Sequence, residues 1–177
     1  MTDLIMRDAQ PEDRAAIEDV TIAAYQEYAP TMQARWEIYR HSILGTLADV
    51  RPAEQIVAER GGAITGTVLL FPAGIELTRP DGSQFSRAAP EIRLLAVAPA
   101  ARGLGVGAAL VNECMRRARQ AGSPTITLHT TDMMRVAMSM YERMGFVRAP
   151  ELDFQPAPEF VIKGYRYTFE AGTLATA

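Results

Sequence analysis

Apolar and polar positions along this chain switch between a two-residue and a near-four-residue period, and the switches mark a succession of strands and helices. Leu4 to Asp8 has the character of a strand. Glu12 to Tyr28 predicts a helix, with Ile17, Val20, Ile22 and Ala24 available for packing, and Met32 to Ala48 predicts a second. Gln55 to Arg60 and Ala63 to Phe71 predict a hairpin around Gly61-Gly62, and Pro80-Asp81-Gly82-Ser83 marks a turn. Glu91 to Val97 is apolar nearly throughout and predicts a central strand. A helix follows from Gly105 to Gln120, in which Leu110, Cys114 and Ala118, four apart, share one face. Thr125 to His129 predicts a short strand, and Arg135 to Met144 a helix stopped by Gly145. Phe146 to Phe154 and Gly164 to Glu170 supply the last strands, and the tail after Ala171 is expected to fray. Strands alternating with helices predict an α/β fold.

Length and composition narrow the class. The chain has 177 residues, which predicts a single domain over 1–177, and 48 % of them are hydrophobic. The formal net charge is −3, so the basic face expected of a nucleic-acid binder is not indicated. No apolar stretch approaches the roughly 20 residues that span a bilayer, and Met1-Thr2-Asp3 does not open a secretory signal. A cytoplasmic protein with no membrane partner is the expectation. Cys114 is the sole cysteine, which leaves no internal disulfide, and its place on an apolar helical face predicts a packing role.

The chemistry concentrates in Arg102-Gly103-Leu104-Gly105-Val106-Gly107. This run follows the strand-like Ile92 to Val97 and opens a helix. The first N–H groups of a helix lack partners within it and point outward at the positive end of the dipole. Glycines let that backbone approach an anion closely, so a pyrophosphate would fit the turn. Such turns also join strands to helices with no ligand. A dinucleotide fingerprint needs its first glycine directly after the strand, whereas Ala98-Pro99-Ala100-Ala101-Arg102 intervenes here. A P-loop needs a lysine and a hydroxyl residue after the last glycine, and Ala108-Ala109 offers neither.

The run resembles the coenzyme A loop of the GNAT superfamily of N-acetyltransferases, whose motif is Gln/Arg-x-x-Gly-x-Gly/Ala. Leu95-Ala96-Val97-x-Pro99 resembles the family's strand ending, and Tyr141-Glu142-Arg143-Met144-Gly145-Phe146 its Tyr-x-x-x-Gly-Phe helix ending. Met6-Arg7-Asp8-Ala9-Gln10-Pro11-Glu12-Asp13 resembles the first strand and helix entry. The resemblance implies a mixed, mostly antiparallel central sheet with a splayed central strand pair, flanked by helices. It implies acetyl-CoA as co-substrate, with no metal, and an amine of a small molecule or peptide as acceptor. Homodimers are common in the superfamily, but no interface signal stands out in these residues.

Site roles come with the resemblance. Gly103, Leu104, Gly105, Val106, Gly107 and Ala108 would hold the pyrophosphate through their amides, with Arg102 bracing the loop or approaching the phosphates. Leu95, Ala96 and Val97 would pair with the pantetheine arm through the main chain. Tyr141 would protonate the departing thiolate, its reference pKa being about 10. Glu91, which opens the central strand, stands where some members place a catalytic base, and His129 where others do; each also has a plain structural reading. Two positions depart from the pattern. Met134 replaces an asparagine that contacts the coenzyme in many members, and a thioether cannot donate a hydrogen bond; Asp132 is placed to cap the helix instead. Ala101 replaces a frequent aromatic. Tyr25, Tyr28, Met32, Trp36 and Tyr39 would wall the acceptor pocket or pack the first two helices together. A noncatalytic acyl-CoA-binding regulatory module is the competing reading, and a protein-acetylating enzyme a third.

Overall fold

Arg7 fastens the first strand to the first helix. Its guanidinium meets Asp13 at 2.6 Å and Glu59 at 2.8 Å, while the Asp13 carboxylate also accepts the Gln10 amide at 2.7 Å. Pro11, with no N–H to satisfy, opens the turn between them. This is a computed structural model that describes residues 3–78, 84–157 and 160–170. The predicted Pro80–Ser83 turn and the tail after Ala171 lie outside the described residues.

The chain divides into two units, Met1–Phe71 with Ile92–Cys114, and Pro72–Glu91 with Met115–Ala177. In the first, β1 (Leu4–Asp8) pairs antiparallel with β2 (Glu54–Arg60), and β2 with β3 (Ala63–Phe71). The register slips between Ala58 and Glu59, where Thr65 is the extra residue. Its carbonyl accepts the Ala98 amide at 2.9 Å, just before the glycine run. Along α1 (Arg14–Tyr25), Ile17, Thr21, Ala24 and Tyr25 are buried at helical spacing.

The predicted helix over Glu12–Tyr28 is in fact three pieces, a 3-10 turn at Pro11–Asp13, α1, and a second 3-10 turn at Gln26–Tyr28. The short α2 (Ala29–Met32) follows and ends at Gln33, whose φ of 50° leaves the helical region. Helix α3 therefore starts at Arg35 rather than Met32, and runs to Ala48.

The second unit holds two elements absent from the expectation, β4 (Glu76–Thr78) and β5 (Gln84–Ser86), which pair as a small hairpin. The remaining strand of the first unit, β6, spans Glu91–Val97 as predicted and neighbours β3, and α4 spans Val106–Gln120. In the second unit β7 (Thr125–Thr130) pairs antiparallel with the last strand, β10 (Phe160–Thr168). The predicted Phe146–Phe154 strand is broken into β8 (Val147–Arg148), a 3-10 turn at Pro150–Leu152 and β9 (Phe154–Ala157), because Pro150 lacks a ladder donor. Both β8 and β9 pair antiparallel with β10. Helix α5 spans Arg135–Arg143. The α/β class with mostly antiparallel pairing is as expected. Cys114 is buried in α4, in its packing role. Among the described residues no helix is long and apolar enough to cross a membrane.

Candidate active site

The glycine run leaves β6 through a turn and enters α4 at Val106. Gly103 and Gly105 take φ of 74° and 79°, which side chains on L-residues rarely adopt, and the space where a Cβ would project from each is open. Gly105 caps the helix, its carbonyl accepting the Ala109 amide at 3.0 Å. By helix geometry the amides of Gly105, Val106, Gly107 and Ala108 have no carbonyl partner within α4, so they can bond an anion. The turn residues Arg102 to Gly105 are exposed, whereas Val106 and Leu110 are buried and anchor the helix. Gly66 of β3 admits this anchor. A Cβ there would stand 2.8 Å from Val106 and 2.9 Å from Leu110.

Arg102 turns to its own unit. Its guanidinium bonds Glu27 at 2.8 and 3.1 Å and the Ala24 carbonyl at 3.0 Å, tying the loop to the end of α1. Of its two predicted roles, the geometry displays the bracing one.

Strand β6 carries a feature with no glycine to announce it. Leu94 has φ of 47°, a left-handed conformation costing a non-glycine residue about 1–2 kcal/mol. The kink interrupts regular alternation directly before Leu95, Ala96 and Val97, the segment whose main chain the family resemblance would offer to a ligand. Irregular backbone of this kind concentrates at ligand sites.

Glu91 and His129, proposed from sequence as alternative bases, are in contact. The Glu91 carboxylate is buried, with Oε1 3.2 Å from His129 Nδ1 and Oε2 accepting from Arg87 Nε at 2.5 Å. The Pro90 carbonyl accepts from the Thr127 amide at 2.9 Å, which seats Glu91 beside β7. The β4–β5 hairpin extends through Gly74 and Ile75 to bond the Arg87 backbone, and so presents Arg87. Burial pushes the Glu91 carboxyl up, but the His129 hydrogen bond and the Arg87 charge outweigh it and hold it below its ordinary value. His129 Nε2 lies 2.9 Å from the Leu152 carbonyl, and Phe154 packs edge-on against the ring. Both ring nitrogens thus face oxygen atoms, Glu91 Oε1 and the Leu152 carbonyl.

Tyr141 is buried on α5, its ring 5.9 Å from Phe146. Gly145, at φ 91°, lets the Phe146 amide bond the Tyr141 carbonyl at 3.0 Å and its own amide the Glu142 carbonyl at 3.0 Å. That is a Schellman cap, and it fixes the Tyr-x-x-x-Gly-Phe spacing physically. Asp132 does not cap α5, contrary to expectation. Met134 is the N-cap residue, without a side-chain bond, and Asp132 instead accepts from Lys163 at 2.5 Å. The Tyr25–Tyr39 and Trp36–Tyr39 rings meet edge-on at 5.9 and 6.4 Å; Tyr25 and Trp36 are buried, Tyr28 and Tyr39 half-buried.

Comparison with known proteins places these elements in a familiar setting. Residues 14–146, more than half of the chain, match the acetyltransferase (GNAT) family. A mycothiol acetyltransferase of Cellulomonas flavigena is 36 % identical over 109 residues, 60 % of this chain and 30 % of that protein. Another from Thermomonospora curvata is 31 % identical over 96 residues, 49 % of this chain and 32 % of that protein. The chain thus spans about a third of the length of the curated relatives it matches. A GNAT acetyltransferase from Brucella melitensis, solved with acetyl-CoA, superposes with a TM-score of 0.58 at 22 % identity, covering 90 % of this chain and 86 % of that one. The PaiA N-acetyltransferase of Thermoplasma acidophilum, solved with coenzyme A, gives 0.66 at 14 % identity, covering 93 % and 99 %. At these identities the likeness is one of fold.

Proposed function

Because this chain belongs to the acetyltransferase (GNAT) family, we propose that it is an acetyl-CoA-dependent N-acetyltransferase. It moves an acetyl group directly to a primary amine of a small molecule or peptide. The observation that carries the reading is the open glycine turn at the N-terminus of α4, with Gly103 and Gly105 in left-handed conformations. In this reading the amides of Gly103 to Ala108 hold the pyrophosphate, and the kinked strand offers main-chain groups of Leu95, Ala96 and Val97 to the pantetheine arm.

The reaction balances simply. A C–N bond forms as the C–S bond breaks, the amine loses one proton, and the thiolate gains one. Tyr141 donates that proton and recovers another from solvent. Glu91 is the base assigned by resemblance. Its carboxylate is ionised at neutral pH, yet two charge-assisted bonds and a depressed pKa make it a weak acceptor. An amine that arrives uncharged needs no base before it attacks; the proton it loses as the C–N bond forms passes to solvent water, and the reaction then rests on positioning and on Tyr141. The closed state of Glu91 and His129 is also what a noncatalytic acyl-CoA-binding module would show, so turnover is the deciding measurement.

Acetyl-CoA is expected to raise the melting temperature, since a ligand that binds only the folded state stabilises it by mass action. Gly105→Asp is expected to abolish that shift by bringing a side chain and a negative charge to the anion seat. Coenzyme thiol release on incubation with an amine panel completes the test. No shift at millimolar acetyl-CoA counts against the reading; a shift with no release from any amine favours the binding module.

A further inference from the structure

An open groove of about 450 Å³ is lined by Met115, Arg116, Arg119 and Gln120 of α4 and by Tyr167 and Phe169 at the end of β10. All six residues belong to the second unit. None lies in the glycine turn, in β6 or in the Glu91–His129 pair. On α4, Met115 and Arg119, and Arg116 and Gln120, are four apart and share one face, while Cys114 and Ala118 are buried. Arg116 Nη1 donates to Gln120 Oε1 at 2.7 Å. Arg119 is exposed, and its guanidinium makes no ion pair or hydrogen bond among the described residues. Gly122, at φ 77°, closes the helix: its amide bonds the Arg119 carbonyl at 3.0 Å and the Ser123 amide the Ala118 carbonyl at 3.1 Å.

The other wall is aromatic. Tyr167 and Phe169 are two apart, and their rings meet edge-on at 5.3 Å. Tyr167 is braced from behind, its ring 5.6 Å from Phe146 and close enough to Gly145 that a Cβ there would stand 3.1 Å away. Both rings are half-buried, so part of each remains open to solvent. One wall therefore carries positive charge and the other π-faces, and none of the six residues is acidic. A flat ring attached to an anion meets both walls at once. A cationic ligand would face two like charges, and an aliphatic acid would leave the rings unused. The volume is that of a small-molecule site.

We propose that this groove is a second ligand site and takes a small aromatic carboxylate, its charge beside Arg119 and its ring against Tyr167 and Phe169. The site shares no residue with the coenzyme seat or with the groups assigned to the reaction, so it stands apart from the acetyltransferase reading.

Calorimetric titration of the whole protein with naphthylacetate, its carboxamide and plain acetate tests this, on wild type, Arg119→Gln and Phe169→Leu. Naphthylacetate is expected to bind wild type with a Kd of roughly 0.1–1 mM. The carboxamide, without the charge, and acetate, without the ring, are each expected to bind at least about threefold more weakly. Arg119→Gln is expected to weaken naphthylacetate roughly three- to tenfold and to erase its advantage over the carboxamide. Phe169→Leu keeps an apolar side chain but removes a ring, and is expected to cost about threefold. Thermal unfolding verifies that each variant is folded. Saturating acetyl-CoA and the Gly105→Asp substitution are each expected to leave naphthylacetate binding unaltered, which separates the groove from the anion seat. No binding at millimolar naphthylacetate overturns the proposal. So does equal binding of the carboxamide, affinity unchanged in Arg119→Gln or Phe169→Leu, or displacement by acetyl-CoA.

Discussion

Tyr141 takes its place in the capping geometry of α5. The Gly145 cap and the Phe146 ring hold it, so Tyr141→Phe keeps shape and packing while removing one proton donor. Turnover is expected to fall roughly a hundredfold with the acetyl-CoA melting shift retained. Unchanged turnover on a good acceptor would leave Tyr141 a packing residue. The motif made this tyrosine visible in the sequence because its partners lie four and five residues away. Glu91 and His129 are 38 residues apart, and their contact was not legible. Each looked like a separate proton acceptor, whereas the fold sets Glu91 Oε1 3.2 Å from His129 Nδ1.

Helix α4 is the element on which the coenzyme seat depends, and Gly66 sets how closely β3 approaches it. A methyl group there meets Val106 and Leu110, both fully buried, and stands 3.0 Å from the Ala96 carbonyl. Nothing nearby can yield cheaply. Gly66→Ala is expected to cost about 1–3 kcal/mol and to lower the melting temperature by several degrees, measured by denaturant and thermal unfolding. Unaltered stability would mean that the helix slides without penalty. Element positions were largely legible, because periodicity reports which face is buried: β1, β3 and β6 have the predicted bounds, and β2, α4 and α5 differ by a residue at one end. The misses have backbone causes. Left-handed Gln33 moves the start of α3, and Pro150 splits the expected strand after Gly145. The β4–β5 hairpin escaped notice because its strands are only three residues each.

Across the whole molecule, the depressed carboxyl of Glu91 links stability to pH. Its folded value lies below the ordinary 4.5, so its stabilisation is fully present above that value and is lost as pH falls through the folded one. The stability gap between wild type and Glu91→Gln is therefore expected to shrink on acidification from about pH 6 to about pH 3, followed by urea unfolding. A gap that stays constant over that range would detach Glu91 from acid sensitivity. The division of the chain carries a different kind of consequence. Each unit is woven from two separated lengths of polypeptide, the first from Met1–Phe71 and Ile92–Cys114. A single peptide-bond cleavage releases neither unit as one unbroken piece. During synthesis, β2 and β3 can zip locally, but β6 reaches β3 only after the intervening Pro72–Glu91 excursion has been made. The glycine turn follows still later, so the nascent chain presents β1, β2 and β3 before its anion seat, and β7 to β10 only after it.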